Sequence, residues 1–205
     1  MKDVPREAWK DFHAYLERAA NYLKAHGDVA LTDSSAHLVL LRIGRGLGWP
    51  SEQMAAIAND GLKRNPDDLD LTFQVMGTLL PKWGGNADVL DAYINQVTAQ
   101  TRARFGMGMY ARLYASAAIN QYGYTLFQDT HADWRKIRQG YDDLLARYPG
   151  SPMFRNRYAF IACIAKDKAT TGRLLGELGT AIDTSEWGSN PARSVESCRR
   201  WAAQK

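Results

Sequence analysis

The residue types that could do chemistry in this chain are few, and their spacing is unhelpful. Asp129-Thr130-His131-Ala132-Asp133 alternates metal-ligand types. A metal site needs donors that converge on one point, and alternation at a helix start does not bring them together. The run reads as an N-cap with acidic residues at the positive end of a helix. His13 and Glu17 stand four apart on one helix face, but the second histidine of a His-Glu-x-x-His arrangement is missing, so they read as a solvated pair. Ser34, Ser35 and His37 are neighbours without a nucleophile-elbow pattern around them. Gly44-Arg45-Gly46-Leu47-Gly48 lacks the Lys-Ser/Thr that completes a phosphate loop, and it follows a helix instead of a strand. On this basis no catalytic residue, metal ligand or cofactor is assigned. An enzyme whose groups are dispersed along the chain stands as the third functional reading.

Two other groups suit binding. In Pro81-Lys82-Trp83-Gly84-Gly85, Lys82 and Trp83 offer a cation and an aromatic ring at a turn that the glycines permit. The second group comprises Arg102, Arg104, Tyr110, Arg112, Tyr114, Arg135, Lys136, Arg138, Arg155 and Arg157. Arginine and tyrosine are enriched at protein interfaces, and they also suit phosphate backbones and stacked bases. Residues 1–100 hold 10 Lys+Arg against 13 Asp+Glu, whereas residues 101–205 hold 16 against 9. An acidic half joined to a basic half gives a dipole that steers partners.

Helices must position these residues. From Pro5 to His26 apolar residues recur as Trp9, Phe12, Leu16, Ala19 and Leu23, one helical face, with Gly27 as a left-handed stop. Asp33-Ser34-Ser35 caps a helix through Leu38, Leu41 and Ile43, and Ser51 one through Met54, Ile57 and Leu62. Asp67 and Asp68 open the next, through Leu71, Val75 and Leu79; Asn86 caps another through Leu90, Ile94 and Val97. Further helices run from Tyr110 to near Gly123, and, capped by Asp129 or Thr130, through Trp134, Tyr141 and Leu145. Others pass through Phe154, Tyr158 and Ile164, over residues 170–182, and over 191–203. No sustained period-2 strand pattern occurs. Nearly every loop is short, so consecutive helices should pack antiparallel.

Leu62-Lys63-Arg64-Asn65-Pro66 and Leu145-Ala146-Arg147-Tyr148-Pro149 share the pattern Leu-x-Arg-x-Pro, their prolines 83 residues apart. That separation fits two hairpins of about 40 residues each, near the period of helical solenoids. The pattern resembles the closing turn of tetratricopeptide-type repeats. Leu79-Leu80-Pro81-Lys82-Trp83-Gly84-Gly85, Tyr110-Ala111-Arg112-Leu113-Tyr114 and Asn156-Arg157-Tyr158-Ala159-Phe160 resemble a bacterial family of uncharacterised tetratricopeptide-like proteins. The likeness spans about Asp33 to about Leu178. It implies a fold of irregular stacked helical hairpins and brings no catalytic residues with it.

The expected fold is therefore all-α, a single helical-repeat domain over residues 1–205. The expected function is a non-enzymatic protein–protein interaction module. Its partner would have an acidic or mixed-charge surface, with a bacterial toxin or effector as the analogy. RNA or another polyanion, bound through the basic half, is the second reading; a net charge of only +4 argues against it. The start, Met1 to Glu7, is charged with no apolar run behind it, which is unlike a secretory leader and implies the cytoplasm. No stretch has the roughly 20 apolar residues of a membrane-spanning helix. Cys163 lies in an apolar run and reads as a small buried hydrophobe. Cys198 lies in a basic segment and reads as near the surface. A Cys163–Cys198 disulfide is left open.

Overall fold

A computed structural model describes residues 5–188 and 190–204. Met1 to Val4, part of the charged start, fall outside the described residues. Among those described, the protein is all-helical, with no β-strand, and no helix is long and apolar enough to cross a membrane. The chain divides into two compact units, Met1–Leu79 and Leu80–Lys205.

The first unit contains α1 (Arg6–Ala25), α2 (Gly27–Ala30), α3 (Ser34–Leu47), α4 (Ser51–Arg64) and α5 (Leu69–Thr78). Helix α3 packs against α1, α4 and α5, and the core is built from Leu41, Ile43, Leu71, Val75 and Met76. The stripe from Trp9 to Leu23 is only partly covered: no α1 residue is buried, and Phe12 is 44% exposed. Asp33 caps α3 by accepting from the Ser35 N–H, and Asp68 caps α5 by accepting from that of Leu71. Two local expectations fail. Ser51 is already helical, with Pro50 at the cap position. Gly27 opens α2, because the chain has already turned at His26 (φ −114°).

The second unit contains α6 (Ala87–Phe105), α7 (Gly108–Ala117), α8 (Leu126–Asp129), α9 (Trp134–Arg147), α10 (Pro152–Ile164), α11 (Lys168–Leu178) and α12 (Pro191–Ala203). The packing is sequential: α6 on α7, α7 on α9, α9 on α10, α10 on α11, and α11 on α12. Helices α7 and α10 are the most deeply buried. Helix α9 is capped by Asp133, which accepts from the Arg135 N–H, and not by Asp129 or Thr130. Asp129 ends the short α8, and the Thr130 hydroxyl is spent on the Leu126 carbonyl.

Close contact between α7 and α9 depends on Gly140. A Cβ there would stand 2.3 Å from the Met107 carbonyl oxygen and 2.7 Å from the Ala111 Cβ. A backbone oxygen cannot rotate away, so the two helices would have to separate. Gly140→Ala is expected to destabilise the second unit by about 2–3 kcal/mol, despite alanine's better helix propensity. Urea unfolding followed by circular dichroism checks this; an unchanged or raised midpoint would contradict the packing.

The two Leu-x-Arg-x-Pro turns share one backbone form. Asn65 has φ −129° and ψ 66°, and Tyr148 has φ −129° and ψ 64°. Each donates its N–H four residues back, to Gly61 and Leu144. Two residues beyond each proline, Asp68 or Ser151 caps the following helix, accepting from the Leu71 or Phe154 N–H. The proline forces its predecessor out of the helical region, which fixes where both helices stop.

Cys163 is buried as expected. Cys198 is fully buried too, contrary to its expected surface position, and the two are joined in a disulfide across 35 residues of sequence.

Candidate interaction surface

The tyrosines expected on a binding face are in the core. Tyr110 and Tyr114 are almost completely buried, with ring centroids 4.9 Å apart. Tyr114 donates to Asp91 Oδ1 at 2.6 Å, and the Tyr110 hydroxyl accepts from the Asp133 N–H at 3.1 Å. Burial first, and then the Asp91 hydrogen bond, push the Tyr114 phenol far above its ordinary range, so it stays neutral and donating. These rings sit on the inward face of α7 and present nothing to a partner. Tyr141 and Tyr158 form a second ring pair, this one stacked, 4.9 Å apart at an interplanar angle of 11°. Tyr158 donates to Asp142 Oδ1.

The arginines do not share one face. Arg155 and Arg157 are two residues apart on α10, a separation of about 200° around the helix. Accordingly Arg157 pairs with Glu186 on one side, while Arg155 lies 3.7 Å from Glu177 on the other and donates to the Pro149 carbonyl. Arg112 is half-buried over the Phe154 ring. Helices α6 and α9 run in the same direction: His131 meets Asp88 at their starts, and the Met107 N–H donates to Asp143 at their ends. Along that layer Arg135 lies nearer the start, Arg138 near the middle, and Arg102 and Arg104 toward the end, at about 1.5 Å per residue. Of the residues expected on one basic face, Tyr110 and Tyr114 are buried, and Arg155 and Arg157 point to different sides of α10.

One group of arginines is exposed and coherent. Arg135 is 93% exposed, and Arg138 is exposed one turn later. Arg173 and Glu177 form an ion pair on the neighbouring α11 at 2.7 Å. The Trp134 indole at the start of α9 donates to Asp167 Oδ2, which caps α11, at 3.2 Å, and this brings the starts of the two helices together. With Asp142 and Arg155 these side chains make a mixed-charge surface with a basic excess. Lys82 is spent structurally: its ammonium donates to the Asn120 carbonyl at 2.7 Å, pinning the turn Pro81–Trp83 to the π-helical turn Ala118–Tyr122. Trp83 beside it remains 46% exposed. In the first unit, Tyr15 and Tyr22 on α1 are 67% and 65% exposed, aromatic surface that the apolar periodicity did not pick out because both lie off the stripe.

Sequence reading also missed the polar centre of the second unit. Asn156 is fully buried and makes four hydrogen bonds. It donates to the Pro152 and Ala181 carbonyls, and its oxygen accepts from the Asp183 N–H and the Trp187 indole. Nothing in the local sequence distinguishes it from a surface asparagine.

Beside α12 lies a cleft of about 520 Å³ lined by Tyr124, Lys166, Arg193, Ser197 and Trp201, with the Cys163–Cys198 disulfide in its wall. Among the described residues no group of three or more His, Cys, Asp or Glu side chains could hold a metal ion.

In the first unit the Asp60 carboxylate accepts from buried His37 Nε2 at 2.9 Å and from Arg64 Nε at 2.9 Å. These two bonds, His37's first, hold the Asp60 carboxyl below the ordinary carboxylate range. Because the folded value is depressed, the contribution is present above the unfolded pKa of about 3.9 and lost as pH falls through the folded value. The thermal midpoint of wild type is expected to drop on acidification below about pH 4, and Asp60→Asn to lower it at neutral pH and flatten that acid slope. Melts at stepped pH test this; parallel slopes for the two proteins would contradict it.

No protein-family model, curated protein or solved structure matches this chain.

Proposed function

We propose that the protein is a non-enzymatic interaction module of helical-repeat type, a tetratricopeptide-like α-α stack of irregular hairpins. It binds a protein whose surface is acidic or mixed in charge. The repeat reading rests on the paired Leu-x-Arg-x-Pro turns, whose backbone angles and following caps coincide, and on the sequential packing of α6 to α12. The resemblance to bacterial tetratricopeptide-like proteins supports the same reading, and a toxin or effector is the kind of partner it suggests.

The observation that carries the binding reading is the exposed surface of α9 and α11: Arg135, Arg138 and Arg173 against Asp142 and Glu177, with half-buried Arg155 of α10 at its edge. Mixed signs favour a protein partner over a polyanion, since phosphate binding asks for cations without interleaved carboxylates. Immobilised wild type should retain a stoichiometric protein from source lysate after nuclease treatment. Arg135→Glu/Arg138→Glu should lower that retention at least about tenfold while circular dichroism is unchanged. Nucleic acid in the eluate, or retention indifferent to the double reversal, would overturn this assignment.

The cytoplasmic setting read from the chain's start meets a contrary observation in the disulfide, because such bonds persist in oxidising compartments. Thiol trapping of Cys163 and Cys198 in source cells decides between the two settings.

A further inference from the structure

The cleft beside α12 has a composition that selects a ligand class. Its lining comes from three elements. Helix α12 contributes Arg193, Ser194, Ser197, Cys198 and Trp201, which recur at helical spacing along one face. The end of α10 contributes Cys163 and Lys166, and the turn Gly123–Thr125 contributes Tyr124. The disulfide ties α12 to α10 and so fixes two of the walls.

Charge in the cleft has one sign. Lys166 and Arg193 line it, and none of the described lining residues is acidic. Neither cation pairs with a carboxylate among the described residues. The Lys166 ammonium instead lies 5.6 Å from the centroid of the Trp201 ring, over its face, which keeps it in the cleft wall and leaves its charge uncompensated. Lys166 is also the one described non-glycine residue with positive φ, +61°, at a helix end where glycine is the ordinary occupant. Most of the remaining lining is apolar, with Tyr124, 49% exposed, held edge-on to Phe160 at 6.0 Å. The volume falls within the roughly 300–1,000 Å³ of small-molecule sites.

We propose that this cleft binds a small planar aromatic acid, its ring against Tyr124 and Trp201 and its carboxylate between Lys166 and Arg193, with Ser197 as a further donor. The cleft shares no residue with the α9–α11 surface.

The test uses the disulfide-bonded full chain and two matched probes, 2-naphthoate and neutral 2-naphthamide, in isothermal titration at low salt. Wild type should bind the naphthoate at least about tenfold more tightly than the amide, since only the carboxylate meets the two cations. Amide resonances of α12 and of residues 123–125 should shift with naphthoate. Two variants spare the fold: Lys166→Gly places glycine where φ is positive, and Arg193→Met changes an exposed side chain. Each should reduce the preference for the acid to less than about threefold with the thermal midpoint maintained. Equal affinity for the two probes, no heat with about 1 mM naphthoate, or a preference that survives both substitutions would overturn the proposal.

Discussion

Asn156→Ala is expected to cost the second unit about 4 kcal/mol. The deletion strands four groups at once. The Asp183 N–H and the Trp187 indole N–H lose their acceptor, and the Pro152 and Ala181 carbonyls lose a donor. Trp187 is fully buried, so water cannot replace the lost bond to its indole without opening the core. Each stranded buried group costs about 1–3 kcal/mol; the segment 181–187 is a loop and relaxes in part, so the total falls below the sum of four. Asn156→Asp keeps both acceptor bonds and loses both donors, and should fall between wild type and alanine. Denaturant titration read by Trp fluorescence measures both. A loss below about 1 kcal/mol for the alanine variant would show that Asn156 does not hold the loop against α10.

Reduction of Cys163–Cys198 is the second large effect. The bond closes a loop of 35 residues between the end of α10 and α12. Chain-entropy arguments assign such a loop about 3–4 kcal/mol through the unfolded state. For a unit of this size the corresponding drop in melting temperature is roughly 10–15 °C. Cys163→Ala/Cys198→Ala should reproduce the drop and should be insensitive to reductant, whereas wild type should shift only when reductant is present. Both sulfurs are buried, so reduction should be slow in the native state and should accelerate in mild denaturant. Equal melting temperatures with and without reductant would mean that α12 is held by packing alone. Loss of the bond also loosens the wall of the aromatic-acid cleft, so the reduced chain should bind 2-naphthoate more weakly.

The local elements were legible because each is specified by neighbours in sequence. Asn86 and Asp33 cap the helices they were expected to cap, and α12 runs from Pro191 to Ala203 as its pattern indicated. Where caps were misplaced, a competing local bond explains it: Thr130 turns back to Leu126, leaving Asp133 to open α9. The binding residues were less legible. Tyrosine and arginine types suit both interfaces and cores, and the sequence carries no marker for which side of a helix a neighbour will cover. Tyr110 and Tyr114 went inward because α6 and α9 both pack on α7, so most of that helix has no solvent face.

By itself, the sequence determined the helical class, most helix positions and the x-Pro turns, since these depend on periodicity, capping and backbone sterics within a few residues. Only the tertiary structure decided what the arginines meet, since Arg155 and Arg157 diverge around one helix to Glu177 and Glu186. It alone paired Cys163 with Cys198 and made Asn156 a buried junction. Those outcomes depend on which surfaces are removed from water together, and that is a property of helices brought into contact across long stretches of chain.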